Sequence, residues 1–247
     1  MVKNFKLIIE YDGTRYHGWQ RQPNGISIQQ AIEKAIKIMT RQKISLIGSG
    51  RTDAGVHALG QTANFKCETR LSPDEIQRGL NSLLPDDIVI RQCRTVHPEF
   101  HSRYDAQSKR YRYWILNQHL PSAIGRQYCW WVRTPLDIPA MQEAADMIRG
   151  EHDFKAFEAT GSPRAHTRRH VIQARWERRS EGRLTFDISA DGFLRYMVRN
   201  IVGTMVAVGM NKLTPASFQE VFNAMDRARA GATAPAHGLF LMEVNYS

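Results

Sequence analysis

Apolar positions along the first hundred residues switch between a two-residue and a three-to-four-residue spacing. Residues 5–11 (FKLIIEY) read as a strand. Residues 27–39 place Ile28, Ile32, Ala35, Ile36 and Met39 on one helical face, with Ser27 positioned as N-cap. Strands are predicted at 44–48 (ISLIG) and 61–66. A helix follows over 73–83, where Ser72 and Glu75 have the spacing of a capping box. Asp86–Asp87 ends the turn before a strand at 88–93 (IVIRQC). The order is β-α-β-β-α-β.

The second half repeats that order more loosely. Residues 109–116 (KRYRYWIL) read as a strand with alternating aromatics, and 136–149 as a helix with Leu136, Ala140, Ala144, Met147 and Ile148 on one side. Strands at 171–178 and 183–190 predict a hairpin turning near Glu181–Gly182. Helices near 194–208 and 215–225 and a last strand at 239–245 complete the pattern. The expected class is therefore α+β. Two ferredoxin-like β-α-β-β-α-β domains, 1–104 and 105–247, would join edge to edge into an extended, mostly antiparallel sheet. Helices would pack on one side, and a cleft between the halves would receive a long anionic ligand. The boundary is placed where HPEFHSRYDAQS breaks the pattern.

Charge narrows the partner. Lys and Arg number 34 against 24 Asp and Glu, a net +10, and 164–183 supplies half of it with seven arginines and two glutamates. Such a field favours a polyanion, most simply nucleic acid. Cys67, Cys93 and Cys129 are scattered, which gives no support to a zinc ribbon or disulfide framework and predicts reduced thiols. No apolar run is long enough for a membrane span. The opening MVKNFKLIIEYDG reads as a first strand instead of a signal peptide, so a cytoplasmic protein is expected.

Chemistry concentrates in residues 48–61, GSGRTDAGVHALGQ. Four glycines in fourteen residues mark tightly turning backbone, with Arg51, Thr52 and Asp53 at its tip. The segment is no P-loop, and Asp53 stands where a GxGxxG pattern needs its third glycine. Asp53 by itself fits a turn-former. Alternatively, with Arg51 beside it or on a phosphate, it fits an ionised nucleophile or general base.

Taken together, five pieces identify a resemblance. EYDGTRYHGWQRQ at 10–22, GRTDAGVHALGQ at 50–61, NSLLPDDI at 81–88, FHSRYDAQSKRYRYWI at 100–115 and GFLRYMVRNIVGTM at 192–205 resemble the bacterial tRNA pseudouridine synthase A family. The closing GLFLMEVNY at 238–246 also fits. The resemblance implies that Asp53 is the catalytic carboxylate and that Arg51 enters the RNA and helps expel the target base. It also implies that Tyr111 stacks on the uracil and that Arg199 pairs with the carboxylate. Arg199 lies in an otherwise apolar helix, where a charge requires a partner. The implied reaction isomerises uridine to pseudouridine at tRNA positions 38, 39 and 40 in the anticodon stem-loop. It implies a homodimer and no cofactor or metal, and no other protein partner is evident.

Other residues are read from their setting. Tyr16, His17 and Trp19, with Gln20 and Arg21, form a polar-aromatic loop expected near the substrate or just behind it. His57 is expected to support the Gly-rich loop, Tyr113 to pack beneath Tyr111, and Phe100 and Tyr104 to join an interdomain core. Trp114, Trp130 and Trp131 are expected to pack against a sheet. Arg164, Arg168 and Arg169, in the arginine-rich TGSPRAHTRRH, are expected to clamp tRNA phosphates without reading bases. A synthase of another tRNA position or another RNA is one rival reading, and a non-catalytic RNA-binding protein a second. A metal-dependent nuclease is disfavoured, because the key loop holds a single acid.

Overall fold

The computed structural model describes residues 2–159 and 166–246. Among them are ten strands and five α-helices, an α+β arrangement. The chain divides into two compact units, residues 1–107 with 240–247, and residues 108–239. The final strand, from Phe240 on, belongs to the first unit although the second unit precedes it in the chain.

In the first unit β1 (Val2–Tyr11) pairs antiparallel with β3 (His57–Glu68) and with β4 (Ile88–Val96). Short β2 (Ile47–Gly48) is antiparallel to β3, and β10 (Leu239–Tyr246) runs parallel to it. Alternation along β1 sets its inner face: Phe5, Leu7 and Ile9 are fully buried, whereas Lys6 and Ile8 are partly exposed. Each fully buried side chain of this size contributes about 1.5–3 kcal/mol.

Two helices supply the apolar counterpart. Helix α1 (Ile28–Thr40) is capped by Ser27, whose side chain accepts from the Gln30 amide, and buries Ile28, Ile32, Ala35 and Ile36. Helix α2 (Pro73–Leu83) starts with the predicted capping box of Ser72 and Glu75 and buries Ile76 and Leu80. Asn81 reaches from α2 to the Ile90 backbone, accepting from its amide at 2.7 Å and donating to its carbonyl at 3.0 Å. That satisfies β4 at Ile90, beside the irregularity in its pairing with β1.

The irregular stretch after β4 is tied down by two buried asparagines. Asn4 donates to the carbonyls of His97, Pro98 and Phe100; Asn64 donates to Asn4 and Phe100 and accepts from the Ser102 amide. Phe100 meets Tyr246 at 5.2 Å between ring centroids. Tyr104 is 75 % exposed, so it is not a core residue; its ring stacks on His101 at the surface instead.

In the second unit β5 (Ala106–Asn117) pairs antiparallel with β9 (Arg183–Ala190), β9 with β8 (Arg168–Arg178), and β8 with β7 (Gly150–Asp153). The three-residue β6 (Trp130–Val132) lies parallel to β5. Trp130 meets Tyr113 edge-on, while Trp131 is 40 % exposed and donates from its indole to the Gln118 carbonyl. Helix α3 (Ile138–Asp146) is shorter than expected because Asp137 caps it and a proline occupies its first turn. Helix α4 (Met197–Gly209) begins after Tyr196, whose φ of +63° is non-helical. Helix α5 (Pro215–Ala224) packs Phe218 and Phe222 onto Phe157.

Candidate active site

The Gly-rich segment forms the link between β2 and β3, and its neighbours fasten it on both sides of Asp53. The Thr52 hydroxyl lies 2.7 Å from the Tyr11 hydroxyl, and the Thr52 carbonyl accepts from the Trp19 amide at 3.1 Å. The Val56 amide donates back to the Asp53 carbonyl at 3.2 Å, closing a tight turn in which Gly55 has φ +77°. Gln61, fully buried, holds the entry to the loop: its amide donates to the Gly50 carbonyl and its oxygen lies 2.7 Å from the Ser49 hydroxyl. Asp53 is half-buried at the tip of this pedestal.

Residues 12–19 form the backing. Tyr16 and Trp19 are buried, and the Trp19 ring lies against Gly48. The Tyr16 hydroxyl and the Arg15 guanidinium both donate to Asp87, and the Asp12 amide donates to the Asp87 carbonyl. Burial, reinforced by the Asp87 carboxylate, raises the Tyr16 phenol, so it stays a proton donor. Burial likewise raises the Tyr11 phenol, against the opposing pull of its Thr52 and Gln61 contacts. The aromatic loop therefore supports the Asp53 turn through its backbone. His57 is supporting too: its Nδ1 lies 3.1 Å from the Gly13 amide, and its ring stacks on Phe240 at 4.6 Å.

Arg51 is exposed and has no ion pair among the described residues, so the alternative in which it pairs with Asp53 does not describe this structure. Its charge remains available to a phosphate or an RNA base.

The remaining predicted residues lie in the second unit. Tyr111 is 6 % exposed on β5 and takes the Phe193 ring edge-on at 5.0 Å. Tyr113, on the same face, is fully buried and donates to the Pro235 carbonyl at 2.7 Å. Arg199 is half-buried on α4: its Nε donates to the Ala234 carbonyl at 2.8 Å and its guanidinium lies over the Tyr196 ring. The helix reaches segment 231–234 so closely that a Cβ on Gly203 would lie 1.8 Å from the Ala232 carbonyl oxygen. Asn200, fully buried, donates to the Phe157 carbonyl and accepts from Thr233 and Arg227. Together these contacts fix the turn of helix that presents Arg199.

Arg168 is exposed and bonded to Glu151 at 2.9 Å, so its charge is partly matched. Arg169 donates to the His166 and Arg168 carbonyls. Arg164 lies outside the described residues.

Tyr11, Gln61 and Asp87 are site-forming residues that sequence reasoning passed over. Each sat in a quoted motif or strand, but its partner is 11 to 71 residues away.

Comparison with known proteins agrees with the motifs. The family model described as tRNA pseudouridine synthase matches residues 7–105 and 144–247. The tRNA pseudouridine synthase A of Thermoanaerobacter sp. (strain X514) is 44 % identical over 99 % of this chain and 100 % of its own. That of Acetivibrio thermocellus is 47 % identical over the same shares, and that of Moorella thermoacetica 43 % over 98 % of each chain. The chain belongs to the tRNA pseudouridine synthase family.

Proposed function

We propose that this protein isomerises uridine to pseudouridine in the anticodon stem-loop of tRNA, at positions 38, 39 and 40, with Asp53 as the catalytic carboxylate. The observation that carries the reading is the fastened turn that presents Asp53 inside the GRTDAGVH motif of a full-length family match. The N1–C1′ bond breaks, the uracil rotates while bound, C5 joins C1′, and the proton lost from C5 is matched by one gained at N1. Atoms are conserved and no electrons are exchanged, so the reaction needs no redox partner.

Asp53 acts in one of three ways: attack at C1′, removal of the 2′ proton to give a glycal, or attack at C6 of the base. Tyr111 stacks on the uracil, and Arg51 fills the space the base vacates when it leaves the stack. Arg199 balances the carboxylate charge. Arg168 and Arg169 position the backbone; the exposed Arg168–Glu151 pair is weak enough to exchange for a phosphate. The order β1–α1–β2–β3–α2–β4 supports a ferredoxin-like reading of the first unit. We also propose a homodimer working in the cytoplasm.

The test is a pseudouridine map of tRNA treated with purified protein, wild type beside Asp53→Asn. Signal at positions 38–40, lost in D53N with tRNA binding kept, is expected. Signal elsewhere keeps the chemistry and overturns the position. Persistent D53N activity removes Asp53 from its role.

A further inference from the structure

The tip of the β8–β9 hairpin carries cations that the proposed chemistry leaves unused. The turn is tight: the Arg183 amide donates to the Ser180 carbonyl, with Glu181 and Gly182 at φ +57° and +69°. The Asn117 amide donates to the Gly182 carbonyl at 2.8 Å, tying the turn to the end of β5. A shallow pocket of about 110 Å³ opens here, lined by Asn117, Arg178, Arg179, Gly182, Arg183 and Leu184.

Three features point to an anion. The register Arg178↔Leu184 and the Arg179 amide bond to the Arg183 carbonyl set Arg179 directly opposite Arg183. Like charges so placed repel and weaken a hairpin unless something offsets them. Arg179 is partly offset, since it pairs with Glu177, which also takes Arg175, and donates to the Thr185 hydroxyl. Arg178 and Arg183 are exposed and have no ion pair among the described residues. Finally, the pocket is well below the roughly 300 Å³ at which small-molecule sites begin. It has room for a single phosphate and not for a nucleoside.

We propose that this pocket holds one backbone phosphate of the tRNA, gripped by Arg178, Arg179 and Arg183, which line it together; the proposal rests on the RNA-modifying reading above. Arg183 pairs with Leu116 and Ile188 with Tyr111, so the pocket lies five residues along the sheet from Tyr111. At about 3.4 Å per residue this is roughly 17 Å. That separation is close to five stacked nucleotides of one strand. The contact is a positioning one and carries no base information.

The experiment measures equilibrium binding of transfer RNA against salt concentration, together with kcat and KM for pseudouridine formation. Three variants are compared with wild type: Arg178→Ala/Arg183→Ala, the charge-preserving Arg178→Lys/Arg183→Lys, and a charge-matched control on α1, Lys34→Ala/Lys37→Ala. The alanine pair is expected to lower the magnitude of the salt slope by about 1 and to raise Kd and KM roughly tenfold, with kcat at saturating tRNA kept. The lysine pair is expected to keep most of the slope. An unchanged slope and KM in the alanine pair, or an equal change in the α1 control, overturns the site. Binding is read without turnover, so loss of the isomerase reading itself shows separately, as wild-type protein that makes no pseudouridine.

Discussion

A Cβ placed on Gly18 would lie 2.5 Å from the carbonyl oxygen of Thr52 and 3.0 Å from the carbonyl carbon of Asp53. Gly18 also has φ +84°, a conformation L side chains rarely adopt. Two effects therefore act together in Gly18→Ala: backbone strain and displacement of the Asp53 turn. We expect about 1–3 kcal/mol of destabilisation in urea titration. A larger relative fall in kcat should appear where the variant is still fully folded. A variant with normal kcat would show that the Asp53 turn does not depend on this contact.

Asn200 makes a different demand. Its amide is fully buried and serves Phe157, Thr233 and Arg227 at once. Asn200→Ala leaves those groups without their partner, at a cost of about 1–3 kcal/mol. The midpoint of chemical denaturation should fall with an unchanged m-value. Because α4 also carries Arg199, proposed above to balance the Asp53 charge, catalysis is expected to become more temperature-sensitive than in wild type.

His237 gives the protein an acid-sensitive contact. Burial lowers its pKa, the hydrogen bond to the Cys129 carbonyl opposes that shift, and the Arg199 charge adds to the lowering. The folded state thus binds a proton less readily than the unfolded chain. The contribution is present above the ordinary histidine pKa of about 6.5 and is lost as pH falls through the lower folded value. His237→Gln keeps a donor for Cys129 and cannot titrate. The stability of wild type minus H237Q should decline from pH 7.5 to pH 5; a flat difference would remove His237 from the acid response.

Elements with a local signal were legible in the chain. Ser27 and the Ser72–Glu75 box gave the starts of α1 and α2, because capping joins residues three apart. The β8–β9 turn at Glu181–Gly182 was legible for the same reason. Short strands were not: WWV and GEHD are too brief to show a two-residue period, and ISLIG pairs only at Ile47–Gly48. The helix expected from 194 starts at Met197 because Tyr196 takes a left-handed conformation that spacing does not reveal. Within the site, Arg51 and Asp53 were legible as a motif. The Tyr11, Trp19 and Gln61 supports depend on strand pairing and loop packing, which a linear reading does not supply.

The strand β10 pairs with β3 beside His57, although the whole second unit, residues 108–239, precedes it in the chain. On the ribosome the first unit must therefore wait for its last strand. At roughly 5–20 residues per second the wait is on the order of ten seconds. During that interval the parallel edge of β3 is open and His57 lacks its Phe240 cover, so the nascent first unit exposes an adhesive edge next to the Asp53 turn. A newly made chain therefore lacks this support beside the Asp53 turn until the whole second unit and β10 after it have been synthesised.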